Sequence, residues 1–339
     1  MATYIVTGSA GFIGSHVALI LLERGDEVVG IDNLNSYYDT TLKAARLARL
    51  EGRPGFRFEK ADLADKATIA RIFEETRPDG VVNLAAQAGV RYSLEQPSAY
   101  VDSNVVGFLS ILEGCRATQP RHLVFASTSS VYGANTRLPF SVEQAAVHPL
   151  TLYAATKMAN EMMAHSYAHL FKIPCTGLRF FTVYGPWGRP DMAPIKFAKA
   201  IVDGQPIDVY GEGKMQRDFT FIDDIARGVV QALDQPATID LNWDGQNPNP
   251  STSGVAPYRI LNIGNSQRVE LMHFIRTLEH CLGREARLNM MPMQQGDAQS
   301  TEADIAPTMA TLGYEPTTSV EVGVQKFVDW YLHYRGLNR

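Results

Sequence analysis

Tyr153 and Lys157 stand four residues apart in TLYAATK, and on a helix that spacing stacks both side chains on one face. A tyrosine with the ordinary pKa of about 10 is a poor base at neutral pH, and a nearby positive charge lowers the cost of its phenolate. So arranged, Tyr153 can take a proton from a hydroxyl. Upstream, Ser127, Thr128, Ser129 and Ser130 lead into Val131-Tyr132-Gly133 and crowd hydroxyls at the end of an apolar run. There they can share such a proton. Taken singly, the first pattern also describes a half-buried tyrosine beside a solvated lysine, and the second an ordinary polar loop. What separates them from those readings is their place relative to each other and to the elements around them.

A second constellation lies at the N-terminus. Gly8, Gly11 and Gly14 form TGSAGFIG between a β-branched run and an apolar helix from Phe12 to Leu22. Glycines let backbone approach a pyrophosphate, and the unpaired N–H groups of Phe12, Ile13 and Gly14 at a helix N-terminus attract its oxygens. Asp32 ends the next strand, where a carboxylate bonds two ribose hydroxyls and repels a 2′-phosphate. NAD is therefore expected over NADP, with Asn33 in the same set and the oxidised nicotinamide adding positive charge near Tyr153. Asp62 and Leu63 close the third strand in the same way, with Asp62 either facing the adenine or capping the following element.

These groups need a frame to hold them. Short β-branched runs (Tyr4–Thr7, Glu27–Ile31, Phe56–Glu59, Val81–Leu84, His122–Ala126, Cys175–Phe180) alternate with helical patterns over the first 180 or so residues, which predicts an α/β fold with a doubly wound parallel sheet. Residues 1–181 read mainly as a dinucleotide-binding domain, joined by returning segments near 215–240 and 258–265. Residues 182–339, broken by Pro186, Pro190, Pro194 and Pro206, read mainly as a smaller, interleaved substrate lobe. Asn242 to Pro257 is expected as a long surface loop.

Composition narrows the function classes. With 45% hydrophobic residues the chain can bury a full core, and a net charge of -5 without a Lys/Arg block argues against nucleic acid as a partner. No run of apolar residues is long enough for a membrane span. Cys115, Cys175 and Cys281 are widely spaced and form no metal-ligand pattern, so no metal and a reducing, cytoplasmic setting are expected.

Together, TGSAGFIG, STSSVYG, YAATK, NLAAQAG from Asn83 and RDFTFIDD from Arg217 resemble the extended short-chain dehydrogenase/reductase family along essentially the whole chain. The resemblance implies that Thr128 is the catalytic hydroxyl residue, Tyr153 the base and Lys157 the holder of Tyr153 and the nicotinamide ribose. It also puts Leu84, Ala85 and Ala86 beside the cofactor. It implies a homodimer built on the helices Ser98–Cys115 and Thr151–Phe171, the first of which carries the apolar stripe Val101, Val105, Phe108 and Leu112. Dehydratases and decarboxylases of the family carry acids where this chain has Ser129 and Ser130, which leaves hydride return to the other face of a 4-keto sugar, an epimerisation. RFFTVYGPWGRPDMA from Arg179 looks most like the UDP-glucuronate 4-epimerases. On that likeness the substrate is a UDP-sugar, with Thr182 and Arg189 near its carboxylate and Arg217 and Arg91 near its diphosphate. Arg189 otherwise reads as an exposed turn residue and Arg217 as one half of a surface salt bridge with Asp218 or Asp223. Two departures, Arg268 in RVEL and Gln294-Gln295 before Gly296-Asp297, bear on the nucleotide pocket. The alternatives are a 4-epimerase for neutral sugars, a UDP-glucuronate decarboxylase, and a non-catalytic NAD-sensing protein.

Overall fold

A computed structural model describes residues 1–294 and 298–337; Gln295, Gly296 and Asp297 of the second departure lie outside them. Its strands are β1 (Thr3–Thr7), β2 (Glu27–Asp32), β3 (Phe56–Lys60), β4 (Gly80–Asn83), β5 (Leu123–Thr128), β6 (Cys175–Phe180), β7 (Thr182–Tyr184), β8 (Pro206–Tyr210), β9 (Gln216–Phe221), β10 (Tyr258–Ile263), β11 (Arg268–Glu270) and β12 (Arg287–Met291). Seven of them form one parallel sheet in the order β10-β6-β5-β4-β1-β2-β3.

Alternation along these strands supplies two separate cores. Val6, Val28, Val82 and Val124 pack under the helices Phe12–Glu23 and Ile222–Asp234. Their neighbours Ile5, Val29, Val81 and Phe125 pack on the opposite face under Lys66–Thr76, Gly107–Thr118 and Leu152–Phe171. Covering both faces is what permits nearly continuous apolar strands. The fold is thus the doubly wound α/β type. Strand order reverses between β1 and β4, so the chain leaves their carboxyl ends in opposite directions and opens a crevice there.

A third core lies beyond β7. Phe219 and Phe274 stack at 4.3 Å, and Ile195, Phe197, Phe327 and Val328 close around them. It is framed by the sheet β11-β9-β7, the pair β12-β8 and the helices Ala193–Val202, Leu271–Leu282 and Val320–Tyr334.

Two expectations change in detail. The segment Ser98–Cys115 is not one regular helix: a short turn Pro97–Tyr100 passes into a π-helical stretch Val101–Val106 before the α-helix Gly107–Thr118. Side-chain bonds accompany the widened turn. The Asn104 carbonyl accepts from Asn160 Nδ2 at 2.6 Å, and its amide reaches Gln87 and Thr156. The expected apolar stripe also divides, since Phe108 and Leu112 are core while Val101 is 43% exposed. Among the described residues no helix is long and apolar enough to cross a membrane.

Candidate active site

The glycine loop closes on itself. Gly8 has φ +69°, and a Cβ there would lie 2.9 Å from Ala85 N; one on Gly14 would lie 2.1 Å from Gly8 O. A side chain on Gly8 would collide with the backbone leaving β4, and one on Gly14 with the loop itself. The N–H groups of a helix's first turn have no acceptor within it, and here they belong to Phe12, Ile13 and Gly14, which line a cavity of about 370 Å³. Thr7 fixes the other side of the crevice: its hydroxyl donates to Asn83 Oδ1 (2.7 Å) and accepts from the N–H groups of Leu84 (3.1 Å) and Ala85 (3.0 Å).

Asp32 is buried and accepts one N–H on each oxygen, from Ala10 (3.1 Å) and Leu34 (2.8 Å). Burial raises its pKa, and those two bonds with Lys43 and Arg46 oppose the rise. One Asp62 oxygen accepts from Asn33 Nδ2 (2.9 Å) and the other from Ala64 N (2.9 Å), so it braces the cavity wall and closes a turn; the cap of the following helix is Asp65, which accepts from Thr68 N (3.1 Å), and not Asp62. It lies two residues beyond β3, which ends at Lys60. Leu63, Leu84, Ala85 and Ala86 complete this wall. A glycine cradle at a helix N-terminus and an acid at the end of β2 fit an adenine dinucleotide.

Across the same cavity stand Thr128, Tyr153 and Lys157. Thr128 ends β5, where its hydroxyl accepts from Ser130 N (3.2 Å) and donates to Ser130 Oγ (3.3 Å). Thr151 caps the helix Leu152–Phe171 through Ala154 N (3.2 Å), which sets Tyr153 and Lys157 facing the cavity one turn apart. Burial raises the pKa of Tyr153, while Arg189 and the Thr128 hydroxyl lower it. Lys157 is 2% exposed, which excludes a solvated surface lysine; burial brings its pKa down to about 8, and Glu161 opposes.

Ser129, Ser130 and Thr182 line both this cavity and a second one of about 620 Å³ that carries Arg91 and Arg217. Arg91 lies 4.9 Å over the ring of Tyr210. Arg217 Nη1 donates to the carbonyls of Gln216 (2.9 Å) and Gln299 (3.2 Å). Asp218 turns inward to the N–H groups of Asn265, Ser266 and Ala303. Arg189 is no exposed turn residue. It lines the first cavity, and its Nε and Nη2 grip Asp191 at 3.1 and 2.5 Å, with Tyr37 also donating to Asp191 at 3.2 Å.

Sequence reading missed Tyr37, Arg46, Asn104 and Asp191. Tyr37 and Asp191 sit in irregular segments whose composition carries no periodic signal. Asn104 falls inside a helical pattern, where an isolated polar residue reads as solvated.

A dinucleotide crevice at a sheet's switch point, opening past a Thr-Tyr-Lys wall into a second pocket, describes enzymes that oxidise a bound hydroxyl. The chain belongs to the NAD dependent epimerase/dehydratase family, whose model matches residues 4–272. It is 52% identical over 328 residues to a probable UDP-glucuronate 4-epimerase of Rhizobium meliloti (strain 1021), covering 97% of this chain and 96% of the relative. The crystal structure of UDP-glucuronic acid 4-epimerase from Bacillus cereus with UDP-glucuronic acid and NAD superposes with a TM-score of 0.87 at 33% identity, covering 98% of this chain and 99% of that one. A UDP-glucose 4-epimerase from Thermotoga maritima with UDP-glucose gives 0.85 at 27% identity, covering 98% and 99%.

Proposed function

We propose that this chain interconverts UDP-glucuronate and UDP-galacturonate by inverting C4 of the sugar. NAD, when bound, accepts the C4 hydride and returns it after the 4-keto sugar has turned over. Tyr153 takes the proton of the 4-hydroxyl and later gives it back, with the Thr128 hydroxyl sharing it and Lys157 and Arg189 favouring the phenolate. Ser129 and Ser130 offer no acid for a competing elimination. Arg217 and Arg91 hold the diphosphate. Gly8, Gly11, Gly14, Asp32, Asn33, Asp62 and the 84–86 segment hold the cofactor. Residues 1–181 with the returning helix Ile222–Asp234 and strand β10 act mainly as the cofactor domain, and the remainder mainly as the substrate lobe; β9, expected to return with them, pairs with β7 and β11 instead.

One observation carries the substrate: Arg189 lines the catalytic cavity with Thr182, and its pair with Asp191 uses only Nε and Nη2. The Nη1 edge is left for a second carboxylate, since a guanidinium can fork to two anions. The same pair favours a second reading, because an arginine already neutralised suits a neutral UDP-sugar. Proton NMR of the purified protein with UDP-glucuronate and, separately, UDP-glucose, without added NAD, separates the two. UDP-galacturonate is expected from the acid and no UDP-galactose from the neutral sugar; the reverse result overturns the assignment. The working form is a cytoplasmic homodimer joined through the helices around Val101 and Met162.

A further inference from the structure

Arg46 is fully buried on the short helix Thr40–Ala48 and lines neither of the two cavities. Its five N–H groups are all used. Nη1 donates to Ala10 O (3.3 Å) and Tyr38 Oη (2.7 Å), Nε to Trp187 O (2.9 Å), and Nη2 to Trp187 O (2.7 Å) and Gly188 O (2.7 Å). Ala10 belongs to the glycine loop, and its own N–H binds the Asp32 carboxylate. Trp187 and Gly188 immediately precede Arg189.

The tethered segment does not adopt this shape cheaply. Trp187 has φ +65°, in the left-handed region that bulky side chains disfavour. Such a residue persists only when its surroundings hold it. Here Arg46 takes its carbonyl, Arg49 lies 4.8 Å over its ring, and Trp330 and Tyr334 pack against it at 5.4 and 5.6 Å. A planar fork with five donors can bridge three carbonyls at once; an ammonium, with three donors on a point charge, cannot reproduce that geometry.

We infer that Arg46 is a positioning residue for recognition of the acidic sugar: by binding the Trp187 and Gly188 carbonyls to the cofactor loop, it sets where Arg189 meets the substrate carboxylate. The inference rests on the reading that Arg189 receives that carboxylate. Arg46 touches neither substrate nor reacting atoms, so its loss acts through Arg189 and spares the diphosphate pocket.

The test is calorimetric binding of UDP-glucuronate and of UDP to the NAD-loaded protein, with Arg46→Lys, Arg189→Ala and the double variant. For Arg46→Lys the UDP-glucuronate dissociation constant is expected to rise about tenfold, as misplacement of a binding group does, while that of UDP changes by less than about twofold. In the Arg189→Ala background, Arg46→Lys is expected to add nothing. Unchanged affinity for UDP-glucuronate, an equal loss for UDP, or a fully additive double variant overturns the inference. Wild-type affinity for UDP-glucuronate in Arg189→Ala alone overturns the carboxylate reading instead. Should Arg46→Lys not fold, Arg49→Gln loosens the same tryptophan from outside, with the same selective loss expected and the same results overturning it.

Discussion

Lys157 illustrates how burial changes the chemistry open to a common residue pair. The residue is 2% exposed, with the Glu161 carboxylate one turn further along the helix; that carboxylate is itself held by Arg179 (2.9 and 2.8 Å) and Ser127 (2.6 Å). With a folded pKa of about 8 against 10.5 for the free side chain, the charge that favours the Tyr153 phenolate is lost as pH rises through about 8. Turnover is expected to fall over that range. Stability moves the other way: between about 8 and 10.5 the unfolded chain keeps a proton that the native state has released, so this group's contribution to unfolding free energy rises with pH. Below pH 8 the buried charge is a full cost. Lys157→Met at pH 7 is accordingly expected to abolish turnover yet raise the melting temperature by roughly several degrees; a lowered value in calorimetry would sink the desolvation account. Arg189→Ala belongs to the same scale. It is expected to cut kcat/KM for UDP-glucuronate by about ten- to hundredfold, the range for one charged hydrogen bond, and steady-state kinetics that find no change remove the carboxylate role.

At the scale of elements, the glycine loop and the Tyr153 helix are positioned by different means. The loop depends on what is missing. A Cβ on Gly14 would lie 2.1 Å from the Gly8 carbonyl, and backbone cannot yield as a flexible side chain can. Gly14→Ala is expected to destabilise the protein by about 1–3 kcal/mol and to release its NAD, seen in a urea midpoint and in chromatography of the denatured protein. Retained NAD at full stability would mean the cradle tolerates a methyl group. The helix depends on what is present: a Thr151 cap at its start, and Asn104 linking it to the exit of β4 through Thr156 and Gln87.

Across the whole molecule, the crevice of the parallel sheet and the pocket of the smaller lobe share Ser129, Ser130 and Thr182 at one wall. On the proposed function, hydride chemistry and substrate recognition meet at the ends of β5 and β7. The outer faces of the helices around Val101 and Met162 leave those residues 43% and 62% exposed, and apolar groups so placed suit an isologous contact. Met162→Glu is expected to shift the protein from dimer to monomer in light scattering coupled to gel filtration. A variant that stays dimeric, or a native protein that is monomeric, places the contact elsewhere or removes it.

The strands and the cofactor loop were legible because their signals are local. β-branched alternation marked β1, β2 and β6 nearly to the residue, and strand, glycines and helix follow one another in TGSAGFIG without interruption. The Tyr153-Lys157 pair was legible for the same reason, since helical spacing alone puts both on one face. Only tertiary structure decided that Lys157 is buried, that Asp62 braces Asn33 and closes a turn while Asp65 caps the helix, that the Val101–Leu112 stripe divides between surface and core, and that Arg189 shares its charge with Asp191. It also joined Arg46 to Ala10, Trp187 and Gly188. Those bonds cross more than a hundred residues of chain on one side of the guanidinium, and a buried arginine satisfied by backbone carbonyls leaves no trace in the residue types it binds.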